Sequence, residues 1–225
     1  MKKITIILIA GILMLFQKPV EANFFYGFEI TYENIGQDSF MVYLTGYRDC
    51  NALNFHSTLQ IDVKNASGSP LGTLQMPKPT GMDITPVCDQ SCNRCNNAYC
   101  SFPYGMEKYV YQGLFVIDSS ISACEIVFSF STCCRIMTNT TGLAGKPFYT
   151  QATLNRCLAP ANSSPVFYEN PYIFLKKNTD YQINMGAHDK DGDSLTFKLA
   201  HPKGYNNSNL SYSGSYDHDK PIHFK

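Results

Sequence analysis

The chain has 225 residues, 44% of them hydrophobic, and equal numbers of basic and acidic side chains, so it is long enough for one or two domains with their own cores. No basic stripe is present, which argues against a nucleic-acid-binding protein. The sequence contains no G-x-S-x-G, H-E-x-x-H, P-loop or dinucleotide-binding motif. We therefore expect no enzymatic activity and predict no catalytic residue.

The N-terminus has the features of a secretory signal peptide. Lys2 and Lys3 precede an apolar stretch, residues 4–16, that is too short to span a bilayer comfortably. Small residues around Ala22 provide a cleavage site before Asn23. We predict a signal peptide over residues 1–22, with an uncleaved N-terminal anchor as the alternative, and a secreted or cell-surface location. No other apolar run has the length of a membrane span.

After this segment, apolar residues alternate with period two in stretches rich in β-branched and aromatic side chains. The predicted strands are residues 28–32, 39–47, 58–64, 108–117, 125–131 and 148–154. Turn-forming residues separate them at 34–38, 65–70 and 139–147. Short strands at this spacing, with little helix between them, predict an all-β, antiparallel β-sandwich over residues 23–157.

A second, incomplete unit is expected after the sandwich. Residues 158–171 are rich in proline and polar side chains, which suits a linker. The stretch 187–201 predicts one turn and one strand in which Leu195, Phe197 and Leu199 face the same way. Because residues 172–225 offer too few strands for a sandwich, we predict a truncated second β-domain and a chain that is a fragment of a longer protein.

The cysteines predict disulfides. With an export signal in front, disulfides are favoured over zinc, although the C-x2-C spacing of Cys92 and Cys95 would suit zinc in a cytosolic protein. The loop around residues 86–101 should be stapled to the sandwich by such cross-links. In an extended strand Cys133 and Cys134 would point to opposite faces, so each is predicted to pair with a different partner. An odd total leaves at least one thiol without a partner in the chain. The nine candidates are Cys50, Cys88, Cys92, Cys95, Cys100, Cys124, Cys133, Cys134 and Cys157.

Three segments resemble a known family. They are EITYENIGQDSFMVYLTGYRDC at 29–50, FSFSTCCR at 128–135, and YTQATLNRCLAPANSSPVF at 149–167 with GAHDKDGDSLTFKL following it at 186–199. The pattern resembles the N-terminal region of large secreted surface proteins of Bacteroidetes, which carry PKD or cadherin-like repeats and a C-terminal gliding-motility or type IX sorting domain. The resemblance implies an exported surface or adhesion-type protein, with an Ig-like or PKD-like sandwich followed by a cadherin/PKD-like repeat.

The aspartates of the last segment are the candidate metal ligands. Asp189, Asp191 and Asp193 alternate, and a turn through Gly192 could converge their oxygens on calcium, which prefers carboxylate ligands. An EF-hand is excluded, because its twelfth position would be Ala200 rather than glutamate. Similarity to cadherin-type repeats implies that the linker, with Asn162, meets this turn around the ion. The alternative is a solvated Asp-Gly turn whose carboxylates accept local backbone hydrogen bonds.

Two further sets of charged residues could have either a structural or a functional role. Asp217, His218, Asp219 and His223 are close enough in sequence to suggest a metal site, but an exposed polar tail is the favoured interpretation. Arg48 and Arg135 are expected to form buried or cross-strand ion pairs rather than to bind a substrate.

The sequence therefore favours a non-catalytic exported module that presents or spaces a binding surface for an unidentified protein or glycan, with calcium stiffening an inter-domain joint. The alternative is a carbohydrate-binding or accessory region of a larger secreted enzyme. Abundant Tyr and Phe would suit sugar stacking, but the chain has no Trp.

Overall fold

The computed structural model describes residues 25–88, 91–135, 142–171, 178–182, 184 and 186–220. The predicted signal peptide, residues 172–177 of the predicted second unit, and His223 lie outside the described residues.

The described residues form β-strands and no α-helix, apart from a 3₁₀ turn at Tyr205–Asn207. The strands are β1 Phe25–Gly36, β2 Ser39–Asp49, β3 Thr58–Asn65, β4 Pro70–Pro77, β5 Met82–Asp83, β6 Met106–Val116, β7 Glu125–Thr132, β8 Phe148–Asn155, β9 Val166–Phe167 and β10 Ala187–His188. All six strands predicted for the sandwich are present, so the all-β prediction is confirmed.

The strands form a sandwich of two antiparallel sheets. One four-stranded sheet has the order β1-β2-β6-β5, and the other has the order β4-β3-β7-β8. At the two sides of the sandwich, β1 packs over β8 and β6 packs over β4. The short strands β9 and β10 pair with each other outside these sheets.

The core follows from the alternation of side chains along each strand. In β2, Phe40, Val42 and Leu44 face inward and are fully buried, and in β7 Phe128 does the same. The ring of Phe128 lies 5.2 Å from the ring of Phe115, its neighbour from the opposite sheet. Edge-to-face aromatic packing of this kind adds to the hydrophobic gain from burying each ring. The two sheets are therefore joined mainly by interdigitated aromatic and aliphatic side chains.

The sequence did not predict β4 and β5. β4 begins with Pro70 and ends with Pro77, and its third residue is Gly72, so its local composition is that of a turn. Pairing with β3 nevertheless makes it a strand, and it lies at the edge of its sheet. It also approaches β6 closely, since a Cβ on Gly113 would lie 2.8 Å from Leu74.

Disulfides connect the loops to the sheets, as predicted for this region. Cys50, directly after β2, bonds to Cys95, and Cys92 bonds to Cys100 within the same long loop. The first link closes 45 residues and the second closes 8. In the chain-entropy model of cross-links these are worth about 4 and about 2.5 kcal/mol. The loop is therefore held mainly by the bond to Cys50.

One prediction about the cysteines is wrong. Cys133 and Cys134 bond to each other rather than to separate partners. Strand β7 ends at Thr132, so the alternation of side chains on which the prediction relied no longer holds at this pair. Of the remaining cysteines, Cys124, directly before β7, bonds to Cys157, shortly after the end of β8. Cys88 is free and exposed.

The predicted strand at Leu195–Leu199 is also wrong. The described backbone there is not a strand, and Phe197 and Leu199 are 59% and 67% exposed. Alternation predicts a strand only where one face is covered and the backbone has a neighbour to pair with.

Further along, the chain returns to the first sandwich. The backbone N–H of Tyr149 donates to the carbonyl of Lys203 at 3.1 Å, and the side chain of Ser213 lies against Gly142. Part of the segment predicted as a second unit therefore packs on β8 and the loop before it.

Two leucines of the same sheet offer a matched test of this core. Leu44 is fully buried, whereas Leu114 on the neighbouring strand is 51% exposed. Leu44→Ala should lower the free energy of unfolding by about 2–5 kcal/mol because it leaves a cavity. Leu114→Ala should cost less than about 1 kcal/mol. Urea denaturation followed by circular dichroism measures the free energy of unfolding of both variants. Equal losses would contradict the assignment of Leu44 to the buried face of the sheet and of Leu114 to its exposed face.

Candidate functional site

Residues 189–193, here called the aspartate turn, are organised around a buried carboxylate. Asp189 is only 6% exposed. Its Oδ1 accepts hydrogen bonds from the backbone N–H of Asp191 at 2.9 Å and of Asp193 at 3.2 Å. Gly192 has φ +84°, a left-handed conformation that glycine adopts without steric cost. The carboxylate of Asp189 thus fixes the backbone of the turn.

The linker joins the aspartate turn to β1. The backbone N–H of Ser163 donates to Oδ2 of Asp191 at 2.5 Å. Ser164 and Tyr32 exchange hydrogen bonds: the Ser164 N–H donates to the Tyr32 carbonyl, and the Tyr32 N–H donates to the Ser164 hydroxyl, both at 2.8 Å. Because β1 is at the edge of its sheet, these bonds cover backbone groups that would otherwise lack a strand partner.

Two charged side chains make a second contact between the turn and β1. Lys190 forms an ion pair with Glu33, and its hydrogen bond holds the pKa of the Glu33 carboxyl below its usual value. The pair is solvent-exposed, so it orients the turn more than it stabilises the fold.

The Tyr32 hydroxyl lies at the inner side of this junction. Burial raises its pKa, and the negative charges of Asp189 and Asp191 raise it further. The hydroxyl donates to the carbonyl of Thr153 at 3.1 Å, and the nearby side-chain amide of Asn162 acts in the opposite direction and lowers the pKa of Tyr32. Phenol, amide and two carboxylates therefore lie close together between β1, β8 and the linker.

The four residues predicted as calcium ligands are thus in one region, but in different states. Asp189 is buried, whereas Asp191 and Asp193 are exposed, and the Asn162 amide donates to the carbonyl of Ser163 at 2.9 Å. The two hydrogen bonds that Asp189 accepts are those expected of the alternative to a calcium site, which is a turn whose own carboxylates accept local backbone hydrogen bonds. Ser163 and Asp191 do meet, as the predicted contact between linker and turn requires.

A different trio forms the compact ligand group. Among the described residues, His201, Asp217 and His218 have ligand atoms that all lie within 4.8 Å of one another. The sequence suggested Asp217 and His218 but not His201, which is far away in the chain. A local spacing rule finds only ligands that are close in sequence.

Arg48 forms the predicted cross-strand ion pair. It faces Glu107 on β6, with Nη2 2.6 Å from Glu107 Oε2 and a side chain that is only 7% exposed. Arg135 is different: its guanidinium donates to the carbonyls of Pro147 and Lys203 and stacks over Phe148. The described contacts of Arg135 are thus to carbonyls and a ring, and burial lowers its pKa.

Within the described part of the chain, no helix combines the length and the apolar character needed to cross a membrane. Comparison with known proteins gives no match to a family model, to a curated protein or to a solved structure.

The role of Asp189 can be measured through the amides it binds. Asp189→Ala removes a charged acceptor worth about 1.5–3 kcal/mol, so the amides of Asp191 and Asp193 should exchange with solvent at least about tenfold faster. Hydrogen exchange followed by NMR in the presence of chelator measures the effect. The control is Asp193→Ala, which removes an exposed carboxylate of the same turn. Similar exchange in the two variants would show that Asp189 does not organise the turn.

Proposed function

We propose that this protein is a non-catalytic, exported module of the cell-surface or adhesion type, which presents a surface to another protein or a glycan. The observation that carries the proposal is the state of its cysteines, which form four disulfides and leave Cys88 free. Disulfides persist in oxidising compartments and are rare in the cytosol. This pattern supports export, in agreement with the signal peptide predicted at residues 1–22.

The rigid sandwich supports a presenting role. Its long loop is fixed by the bonds Cys50–Cys95 and Cys92–Cys100, and Asn93 within it is buried and donates to Asp83 at 2.8 Å. Tyr99 in the same loop is 96% exposed. An exposed tyrosine on a fixed loop suits recognition, because little conformational entropy is lost when it binds.

The junction between the linker, the aspartate turn and β1 supports a spacing role. Ser163, Ser164 and Lys190 all contact β1, so the direction in which the chain leaves the sandwich is fixed by several bonds. In such a protein the segment that follows the junction would be held at a defined angle rather than on a flexible tether.

Calcium at the aspartate turn is part of this proposal. The Asp189 carboxylate is buried, and among the described residues no lysine, arginine or histidine pairs with it. A buried charge without a counter-charge is costly, and a cation at the turn would neutralise it. Asp189, Asp191 and Asp193, with the amide oxygen of Asn162, would supply the oxygen ligands that calcium prefers. The ion would stiffen the junction.

Export is tested on the full chain expressed with its own leader in a bacterial host. The protein should be recovered outside the cytoplasm with Asn23 as its first residue. Under denaturing, non-reducing conditions it should show a single alkylatable thiol, Cys88, by mass spectrometry. Retention in the cytoplasm with all cysteines reactive would contradict the proposal.

The calcium site is tested by thermal melting with calcium and with chelator. At a hundredfold excess over Kd, a bound ion adds about 2.7 kcal/mol to the free energy of unfolding, so the midpoint should rise. Asp191→Ala should abolish the rise. Asp118→Ala is the control, because Asp118 also accepts a turn hydrogen bond, from Ser120 at 2.8 Å, but lies elsewhere. A midpoint unaffected by calcium would refute the metal site and leave the export proposal standing.

A further inference from the structure

Two histidines and one aspartate from separate parts of the C-terminal segment meet at the surface. His201 precedes the stretch that packs on the sandwich, and Asp217 and His218 belong to a tight turn closed by the bridge between Asp217 and Lys220. The rings of His201 and His218 lie 4.1 Å apart. Asp217 lies beside both: its Oδ1 is 2.9 Å from Nδ1 of His218 and 3.9 Å from Nδ1 of His201.

These separations match those in a tetrahedral metal centre. With metal–ligand bonds of about 2.0–2.1 Å, two ligands of one zinc ion lie about 3.3 Å apart. The separations of 2.9 Å and 3.9 Å bracket that value, and all three ligand atoms lie within 4.8 Å of one another, so small side-chain movements would bring the three groups onto one ion. Their side chains are 30–55% exposed, and an ion could reach them directly from solvent.

We propose that His201, Asp217 and His218 form a binding site for a divalent transition metal of the zinc type. Imidazole nitrogen with one carboxylate is a ligand set that suits zinc, copper and nickel, whereas calcium takes oxygen ligands. Three protein ligands leave a fourth position for water or for a group from a partner.

The position of the site indicates what the metal would do. Next to His201, the carbonyl of Pro202 accepts a hydrogen bond from Leu210, and the carbonyl of Lys203 accepts one from Arg135 of the sandwich. Residue 201 is thus held on the sandwich, while residues 217 and 218 come from the far end of the same loop. A metal joining them would close this loop and fasten the C-terminal segment to the sandwich.

The contrary interpretation is an ordinary hydrogen bond between Asp217 and His218 with His201 packed beside it. It gives the same geometry without any affinity for metal. The two interpretations therefore differ in binding and not in structure, and a direct titration separates them.

The test is isothermal titration of the tag-free protein with zinc chloride in buffer containing saturating calcium. We expect one zinc per chain, lost in the double variant His201→Ala/His218→Ala. Either single variant should weaken binding by more than about 100-fold, the upper end of what loss of a second-sphere partner typically costs. Limited proteolysis gives a second measure, since zinc should slow cleavage between residues 201 and 217 in the wild type and not in the double variant.

Matched controls are His56→Ala, which removes an exposed histidine on the sandwich, and Asp191→Ala, which changes the aspartate turn. Both should bind zinc as the wild type does. No zinc binding by the wild type, or equal binding by the double variant, would overturn the proposal. Loss of zinc binding in Asp191→Ala would also overturn it, because the metal would then belong to the aspartate turn.

Discussion

The free edge of β1 is the constraint on which the functional part of this structure depends. An edge strand presents backbone donors and acceptors that pair with another chain unless something covers them. Here the linker supplies the cover, because Ser164 exchanges hydrogen bonds with Tyr32 through both its backbone and its hydroxyl. That contact places Ser163 where its N–H reaches Asp191. The aspartate turn is therefore located by an edge strand that needs a partner.

The sandwich itself derives its stability from two sources. Buried aromatic rings join the sheets: the ring of Phe28 in β1 lies 4.8 Å from that of Phe130 in β7 of the opposite sheet, and 5.3 Å from that of Phe55 in the loop before β3. Disulfides hold the segments that the core does not reach, above all the long loop after β5. Since the core fixes the sheets and cross-links fix the loops, side chains such as Tyr99 can be exposed without the loop losing its order.

Alternation of apolar residues predicted the long strands because each of them has one covered face, as Phe40 and Leu44 show in β2. The same rule missed β4, whose prolines and glycine hide a strand that exists through pairing with β3. It also predicted a strand around Phe197, where the alternation is present but no face is covered. Alternation along the sequence therefore identifies a strand where the apolar residues that alternate are also buried in the fold. It cannot anticipate a strand that depends on its neighbour.

The candidate sites differ in the same way. Asp189, Asp191 and Asp193 are close in sequence, and their two-residue spacing in a tight turn allows Asp189 to accept hydrogen bonds from the backbone N–H groups of the other two. His201 and His218 are far apart in sequence, and the packing of residues 202–213 on the sandwich brings their rings together. The aspartates that are close in sequence thus form a turn stabilised by its own hydrogen bonds, whereas the ligand atoms that converge come from separate segments. Among the residues that the structure describes, the strongest geometric candidate for a metal accordingly lies where the C-terminal segment packs back on the sandwich.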